Sequence, residues 1–332
     1  MDWFEMRHAC SVAAGFIMLS ASDAVMAAVS PADTYPSRPV RVIVPFVPGG
    51  PADYNARLMA QRLFEAWGQQ FVVDNRPGAG GLIGTEMAVR ANPDGQTLVI
   101  GNPGPVTIAP SVQAKMPYDP LKDLTPVIVI TKSTSFTTVN ASVPVKSVQE
   151  LIALAKAKPG HLKYGTPGVA TVGHMSMELF NHMAGTKMTH VPYKGIAAAL
   201  TDLLSGQLEV STLNPPMTLA HSKTGKVRVI GFNGRKRSVH LPDVPTVEEQ
   251  GLPGYESTNW NSVLAPASTP RDIVMKLNRE INARVLTPET IKVLVNQGYE
   301  PGGGPPEEHG EMLKADMAKW ARVAKVAGVK LD

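Results

Sequence analysis

The chain has 332 residues, 43% of them hydrophobic, and sets 32 Lys and Arg against 28 Asp and Glu for a net charge of +4. That mild charge is spread out, with one cluster at Arg235, Lys236 and Arg237 and no interleaved aromatics, which argues against a nucleic-acid surface. The single cysteine, Cys10, excludes a disulfide scaffold, and no apolar run after residue 30 reaches membrane-spanning length.

The opening stretch, MDWFEMRHACSVAAGFIMLSASDAVMAAVS, joins a lone Arg7 to an apolar segment from about Cys10 to Leu19 and small residues around Ala27. This is the pattern of an export signal, residues 1–27, cut after Ala27; a buried N-terminal helix is the alternative. Export removes Cys10 and, with Arg7, Asp2, Glu5 and Asp23 lost, leaves 31 basic and 25 acidic residues, a net charge of +6. The mature chain then has no thiol chemistry, and its length suggests two domains.

Next, VIVPFVPGGPADYNARL, residues 42–58, runs an apolar strand at Val42 to Val44 into Pro45, Pro48, Gly49 and Gly50, then into a helix repeating at Tyr54, Leu58 and Leu63. Such a unit points the first free N–H groups of the helix into a cleft, where the dipole favours an anion. No Lys or Arg stands in the loop, so it is either a plain strand-to-helix turn or an anion cradle made of backbone. FVVDNRPGAGGLIGTEMAVRA adds a strand at 71–74, a Gly-rich turn and a helix from Leu82; TLVIG is a third strand, and TPVIVI and SFTTVN are extended. SVQELIALAKAKPG is a helix with a capping box, Ser147 with Glu150, and a stop at Pro159 and Gly160. LKYGTPG repeats the strand-into-loop pattern, and TVGHMSMELFNHMAG puts Met175, Leu179 and Met183 on one helical face. HVPYKG, the helix IAAALTDLLSG, the strands LEVSTLN and VRVIGF, and helices in TPRDIVMKLNREINARVL, TPETIKVLVNQG and from Pro306 complete the chain, two of them opening Thr-Pro.

Strands alternating with helices predict parallel sheets flanked by helices, with ligand beyond the carboxyl ends of the strands. Two like units, one in each half, predict a cleft between two α/β domains with a helix N-terminus entering from each side. That geometry suits a doubly negative or elongated carboxylate.

Enzyme signatures are weak. GAGGLIG, Gly78 to Gly84, carries Ile83 where a dinucleotide fingerprint needs its third glycine, is separated from its strand by Asn75, Arg76 and Pro77, and has no acid closing the next strand. Nucleophile elbow and phosphate loop are absent. His174, His182 and His190 recur at a spacing that suits no helical ligand pair. Asp53, in the first turn of its helix, reads as a cap before it reads as a base. No catalytic residue, metal or cofactor is expected.

The stretches YPSRPVRVIVPFVPGGPADYNARLMAQRL, NRPGAGGLIGTE, NPDGQTLVIG, MPYDPLKDLTPV, HVPYKG, ALTDLLSGQLEV and LPDVPTVEEQGLPGYE, in that order from about Tyr35 to Asp332, resemble the tripartite tricarboxylate transporter substrate-binding proteins, the Bug family. The resemblance implies a periplasmic, monomeric binding protein of type II, with two Rossmann-like α/β domains around a central cleft: 35–130 with 257–332, and 131–256. It also implies hinge closure on a small carboxylate, and a membrane permease or a membrane sensor that reads the closed form. The hinge is expected near 127–133 and 254–260.

In the family two loops grip the carboxylate. The first here keeps Phe46, Pro48, Gly49, Gly50 and Asp53 of the motif, with Pro51 in place of a small residue and Ala52 in place of Thr. The second, YGTPGVATVGHM, keeps Thr166, Gly168, Thr171 and His174, with Ala170 in place of Gly and Val172 in place of Ser or Thr. The implied ligand-binding set is these residues, Pro51 excepted, with Val47, Val169, Asn102, Tyr193 and Asn214. Leu213 stands where the family commonly has an Asp suited to an amino group. Lost hydroxyls at 52 and 172 would leave ligand oxygens unpaired at about 1 to 3 kcal/mol each, which favours a carboxylate with an apolar body, aromatic or aliphatic; an ordinary di- or tricarboxylate is the alternative. Phe46, Tyr193 and Trp260 are candidates to wall the cleft, or simple core.

Overall fold

The computed structural model describes residues 30–331, so the leader, its cut after Ala27 and Cys10 lie outside the described residues. The strands are β1 Val40–Val44, β2 Phe71–Asn75, β3 Thr97–Gly101, β4 Leu124–Thr134, β5 Phe136–Asn140, β6 Lys163–Thr166, β7 Thr189–Pro192, β8 Val210–Leu213, β9 Val227–Phe232, β10 Thr258–Pro266 and β11 Glu300–Gly303. They form a six-stranded sheet, order β11-β4-β10-β3-β1-β2, and a five-stranded sheet, order β7-β6-β8-β5-β9. With their helices these make two α/β lobes.

The expected all-parallel sheets are mixed instead. β1, β2 and β3 run parallel, as do β6, β7 and β8, because each pair is joined through a helical crossover. β10 is antiparallel to β3 and β4, and β5 to β8 and β9. The exceptions lie where the chain changes lobe. Only Ser135 separates β4 in the first sheet from β5 in the second, and the chain returns into β10 after residues 233–257.

β1 is apolar along its length because both of its faces are covered. Val40, Val42 and Val44 pack with Ala56, Met59 and Leu63 of the Pro51–Trp67 helix, while Ile43 packs on the other side with Val99, Ala88 and Leu264. Each large apolar side chain so buried contributes about 1.5–3 kcal/mol. In the second lobe Met175, Leu179 and Phe180 of the Val172–Ala184 helix join Tyr164 and Tyr255. The same core takes in Ile108 and Val112 and, from the Pro306–Ala327 helix, Trp320, Val323 and Ala324. The last helix therefore packs across both lobes.

Two helix starts differ in detail from their sequence reading. Ser147 Oγ accepts the Glu150 N–H at 3.1 Å, but Glu150 reaches one residue further back, to the Lys146 N–H at 2.6 Å. Thr287 caps its helix as expected, whereas the Thr269 hydroxyl donates to the Pro266 carbonyl, so the helix Arg271–Glu280 begins after Pro270.

Candidate functional site

Between the lobes lies a cavity of about 130 Å³. Of the residues singled out in the sequence, Phe46, Val47, Pro48, Gly49, Gly50, Ala52, Asn102, Thr171, Val172 and Asn214 line it. Among the described residues that line it there is no Lys, Arg, Asp, Glu or His. Four helices aim their first residues at this space. They are Pro51–Trp67 through Gly50 and Ala52, Val172–Ala184 through Thr171 and Gly173, Ile196–Ser205 through Gly195 and Ile196, and the short Pro215–His221 through Asn214. The first three leave backbone N–H groups without an intrahelical acceptor, whereas Pro215–His221 offers none, since Pro215 and Pro216 have no N–H and the Met217 N–H donates to Asn214 Oδ1 at 3.1 Å. Each of the three dipole ends adds about 0.3–1 kcal/mol to a nearby negative charge. An uncharged cavity with this lining can hold an anion on backbone donors.

The first loop is held from behind by charge. Gly49 has φ +87°, a left-handed conformation open to glycine, and its N–H donates to Asp53 Oδ2 at 3.0 Å. Asp53, 4% exposed, also accepts from Arg57 Nε at 2.9 Å, Arg57 Nη2 at 3.0 Å and Asn75 Nδ2 at 3.0 Å, and Asn75 Nδ2 in turn reaches the Phe46 carbonyl. Burial opposes ionisation of Asp53, but the donors from Arg57, Gly49 and Asn75 outweigh it and hold its carboxyl below its ordinary value. Asp53 thus points into the loop's own framework and does not line the cavity.

The second loop is held by neutral contacts, with the Glu178 carboxylate one step behind, accepting from the Tyr164 hydroxyl. Thr171 Oγ1 donates to the Gly168 carbonyl at 2.7 Å and caps the Val172–Ala184 helix. Thr166 Oγ1 meets the same carbonyl at 3.1 Å and His190 Nε2 at 2.6 Å. The ring of His190 lies stacked between Tyr164 and His174, with centroids at 5.0 and 4.1 Å. His174 Nδ1 accepts the Ala170 N–H at 3.3 Å, which places its proton on Nε2. Burial pushes His174 down to about 4, and burial with the neighbouring His174 pushes His190 down to about 3, so both are neutral at pH 7. Ala170 has φ +57°, the left-handed region that costs an L-residue about 1–2 kcal/mol. Thr166, Gly168, Val169, Ala170 and His174 accordingly shape the loop from beneath, and the cavity lining does not include them.

The lobes touch through both loops. A Cβ on Gly195 would stand 2.6 Å from Val47 Cγ2, and one on Gly80 would stand 2.5 Å from the Val169 carbonyl oxygen. The Gly-rich turn that fails as a nucleotide motif therefore has a packing role, giving the backbone of the second loop room to approach the first lobe.

Three expected positions fall elsewhere. The Tyr193 hydroxyl donates to Asp202 at 2.7 Å and its ring packs against the core of the Ile196–Ser205 helix, away from the cavity. Trp260 is 3% exposed, donates to Asp316 at 2.9 Å and does not line this cavity. Leu213 is fully buried in that same helix's core, because alternation along β8 turns Thr212 and then Asn214 to the cavity and Leu213 away. Position 213 therefore says nothing about an amino group on the ligand.

The sequence reading missed the floor: Ser133, Ser135, Thr212, Asn259 and Asn261, with the helix start at Gly195 to Ala197. Asn259 and Asn261, two apart in NWNSVLAP, were the available signal, because a period of two puts both on one face of a strand. Asn102 Nδ2 donates to Asn259 Oδ1 at 3.0 Å, and its own Oδ1 accepts the Gly104 N–H at 3.1 Å. No group of three or more His, Cys, Asp or Glu suited to a metal, and no helix long and apolar enough to cross a membrane, occurs among the described residues.

The chain matches, over residues 55–329, the family model described as "Tripartite tricarboxylate transporter family receptor". It is 35% identical over 301 residues to Protein BugT of Bordetella pertussis, covering 90% of this chain and 92% of that one. Among solved structures it is similar to R. palustris Rpa4515 with adipate, at a TM-score of 0.85 and 40% identity, covering 89% of this chain and 99% of that one. It is also similar to MatC from Rhodopseudomonas palustris with bound malate, at a TM-score of 0.83 and 29% identity, covering 87% and 99%.

Proposed function

The chain belongs to the tripartite tricarboxylate transporter receptor family, and from that premise we propose that it is a periplasmic solute-binding receptor that captures a small organic carboxylate between its lobes and presents it to a membrane permease. The observation that carries the reading is the cavity itself, uncharged in its side chains yet faced by three helix N-termini with free backbone N–H groups, at Gly50, Thr171 and Gly195. The dicarboxylates bound by Rpa4515 and MatC support the ligand class. Phe46, Val47, Pro48, Ala52, Val172 and Ile196 give the lining an apolar face, which favours a ligand with an apolar body. Without an acidic side chain in that lining, an ammonium group would go unpaired, which disfavours amino acids.

In this reading the lobes turn about the crossings at Ser135 and before Thr258, so the expected division of 35–130 with 257–332 from 131–256 moves to Ser135, because Thr131 to Thr134 pair with β10 in the first sheet. Ligand docks on one loop, and closure brings the other onto it and expels water. The permease would then recognise the closed shape.

The test is a thermal-shift panel on the exported chain, residues 28–332, with aliphatic and aromatic acids, citrate, glutamate and the methyl esters of the acids that bind. A ligand at about 100 times its Kd adds roughly 2.7 kcal/mol. Acids with apolar bodies are expected to raise the midpoint and their esters to leave it unchanged. Equal shifts from acid and ester would overturn the reading, because a site built on helix dipoles must distinguish a charge from its neutral analogue.

A further inference from the structure

The floor of the cavity contains a polar side chain that the described residues do not satisfy. Asn261, in the middle of β10, is 0% exposed and lines the cavity, and neither its Nδ2 nor its Oδ1 has a hydrogen-bond partner. Asn259, two residues earlier on the same face, behaves otherwise, since its Oδ1 takes a hydrogen bond from Asn102. An amide group buried without a partner is destabilising, and folded chains leave few of them. For the fold alone, leucine would serve better at this position. Thr131, the antiparallel partner of Asn261 on β4, also keeps an unpaired hydroxyl.

The position is also right for a ligand. Ser262 pairs with Gly101, the last residue of β3, so Asn261 lies level with the carboxyl ends of the parallel strands. In the sheet β10 is two strands from β1, which places Asn261 roughly 10 Å across from the strand that launches the first loop. A ligand whose carboxylate sits at the helix starts therefore has room for a short body before it meets this amide.

We propose that Asn261 is a specificity-determining residue, and that its amide receives a neutral group at the far end of the ligand, a hydroxyl or a carboxamide. Such a group accepts from Nδ2 and donates to Oδ1, satisfying both atoms. A second carboxylate can only accept; it would pair with Nδ2 while setting negative charge against Oδ1, and no basic side chain lines the cavity to offset it. A terminal methyl would leave both atoms unpaired. The preferred ligand is thus a carboxylic acid bearing a distal hydroxyl or carboxamide, a refinement that rests on the carboxylate reading above.

The experiment is calorimetric titration of the parent and of Asn261→Leu with four probes of one chain length: hexanoate, its terminal-hydroxyl and terminal-carboxamide analogues, and adipate. The parent is expected to bind the hydroxyl or carboxamide probe about tenfold or more tightly than hexanoate and adipate, the ratio that pairing one buried amide supplies. In Asn261→Leu that ratio falls to about one. Should the leucine variant fail to fold, Asn261→Asp keeps the shape but only accepts, and its adipate affinity must fall relative to the carboxamide probe by a further factor of ten or more. An unchanged ratio in the leucine variant, or adipate binding to the parent as tightly as the carboxamide, overturns the proposal and leaves the carboxylate reading standing. If the parent binds none of the four, the proposal is overturned, and the acid-and-ester panel decides the carboxylate reading separately.

Discussion

The two loops that face the cavity from opposite lobes are the same unit, a parallel strand feeding a helix, yet opposite chemistries hold them in shape. Behind the first stands an ion pair: Asp53 gathers the Gly49 N–H, Arg57 and Asn75 into one carboxylate. Behind the second stand a threonine cap and a stack of three rings, Tyr164, His190 and His174, the histidines neutral. Both arrangements keep formal charge out of the cavity, leaving backbone dipoles as the field a ligand meets. They differ in what disturbs them. The carboxylate framework is indifferent to mild acid, whereas the histidine stack is not.

That difference predicts the largest effect. Both histidines titrate lower in the folded chain than in the unfolded one, so the unfolded chain takes up protons first as pH falls. Their contribution is intact above the unfolded value of about 6.5 and is lost progressively towards the folded values of about 4 for His174 and about 3 for His190. Going from pH 7 to pH 5 should cost about 2 kcal/mol through the well-buried His174 and less through the half-buried His190. His309, also pushed down to about 3 by burial, adds its own share. The loop's part is isolated by comparing urea midpoints at the two pH values in the parent and in a His174→Gln, His190→Gln variant, where the acid loss should shrink by about 2–3 kcal/mol. An undiminished loss would place the acid sensitivity outside the second loop.

Asp53→Ala should produce the next effect, about 2 kcal/mol of lost stability at pH 7, because three donors around the first loop lose their acceptor. Its signature is the absence of pH dependence between 5 and 7. The depressed Asp53 carboxyl contributes above the unfolded value of about 3.9 and gives way only as pH falls through its still lower folded value. Thr171→Ala, the matching cut in the second loop, should cost about 1 kcal/mol as the loss of a helix cap. Equal costs for the two cuts, measured by urea denaturation, would remove the distinction between an ionic and a neutral framework.

Much of this site could be read along the chain, and the failures have a common physical origin. Val42 to Val44, the Gly/Pro loop and the periodic helix after it announced a strand-loop-helix unit, and Phe46 to Gly50 with Ala52 do line the cavity. A loop motif, however, names a loop and leaves open which side chains turn inward. Asp53, Thr166 and His174 belong to the motif pattern yet face their own framework. Tyr193 and Trp260 are aromatic and near the cleft in sequence, but each hydroxyl or indole N–H found a carboxylate within the fold, Asp202 or Asp316. The floor was hidden for another reason. Asn259 and Asn261 stand in a strand that is central because the chain comes back from the other lobe; the family resemblance placed that return near 254–260, but nothing in the hydropathy of the stretch says which face of the returning strand meets the cavity. The mixed sheets escaped because strand direction is set by where the chain crosses.

Ala170 offers the smallest and most delicate test of how the second loop is held. Its φ of +57° costs an alanine about 1–2 kcal/mol, which glycine would avoid. Glycine would surrender some of that gain, roughly 0.5–1 kcal/mol, to the greater freedom of its unfolded chain. It would also remove a methyl that is 4% exposed in the core of the second lobe, and a buried CH₂-sized group is worth about 0.8 kcal/mol. The gains and losses nearly cancel, so Ala170→Gly should leave the urea midpoint within about 0.5 kcal/mol of the parent. A gain above about 1 kcal/mol would mean that backbone strain dominates and the methyl packs poorly. A loss of that size would mean that packing holds the loop in a conformation its backbone resists, and the second loop would then be gripped as firmly by its core as the first is by Asp53.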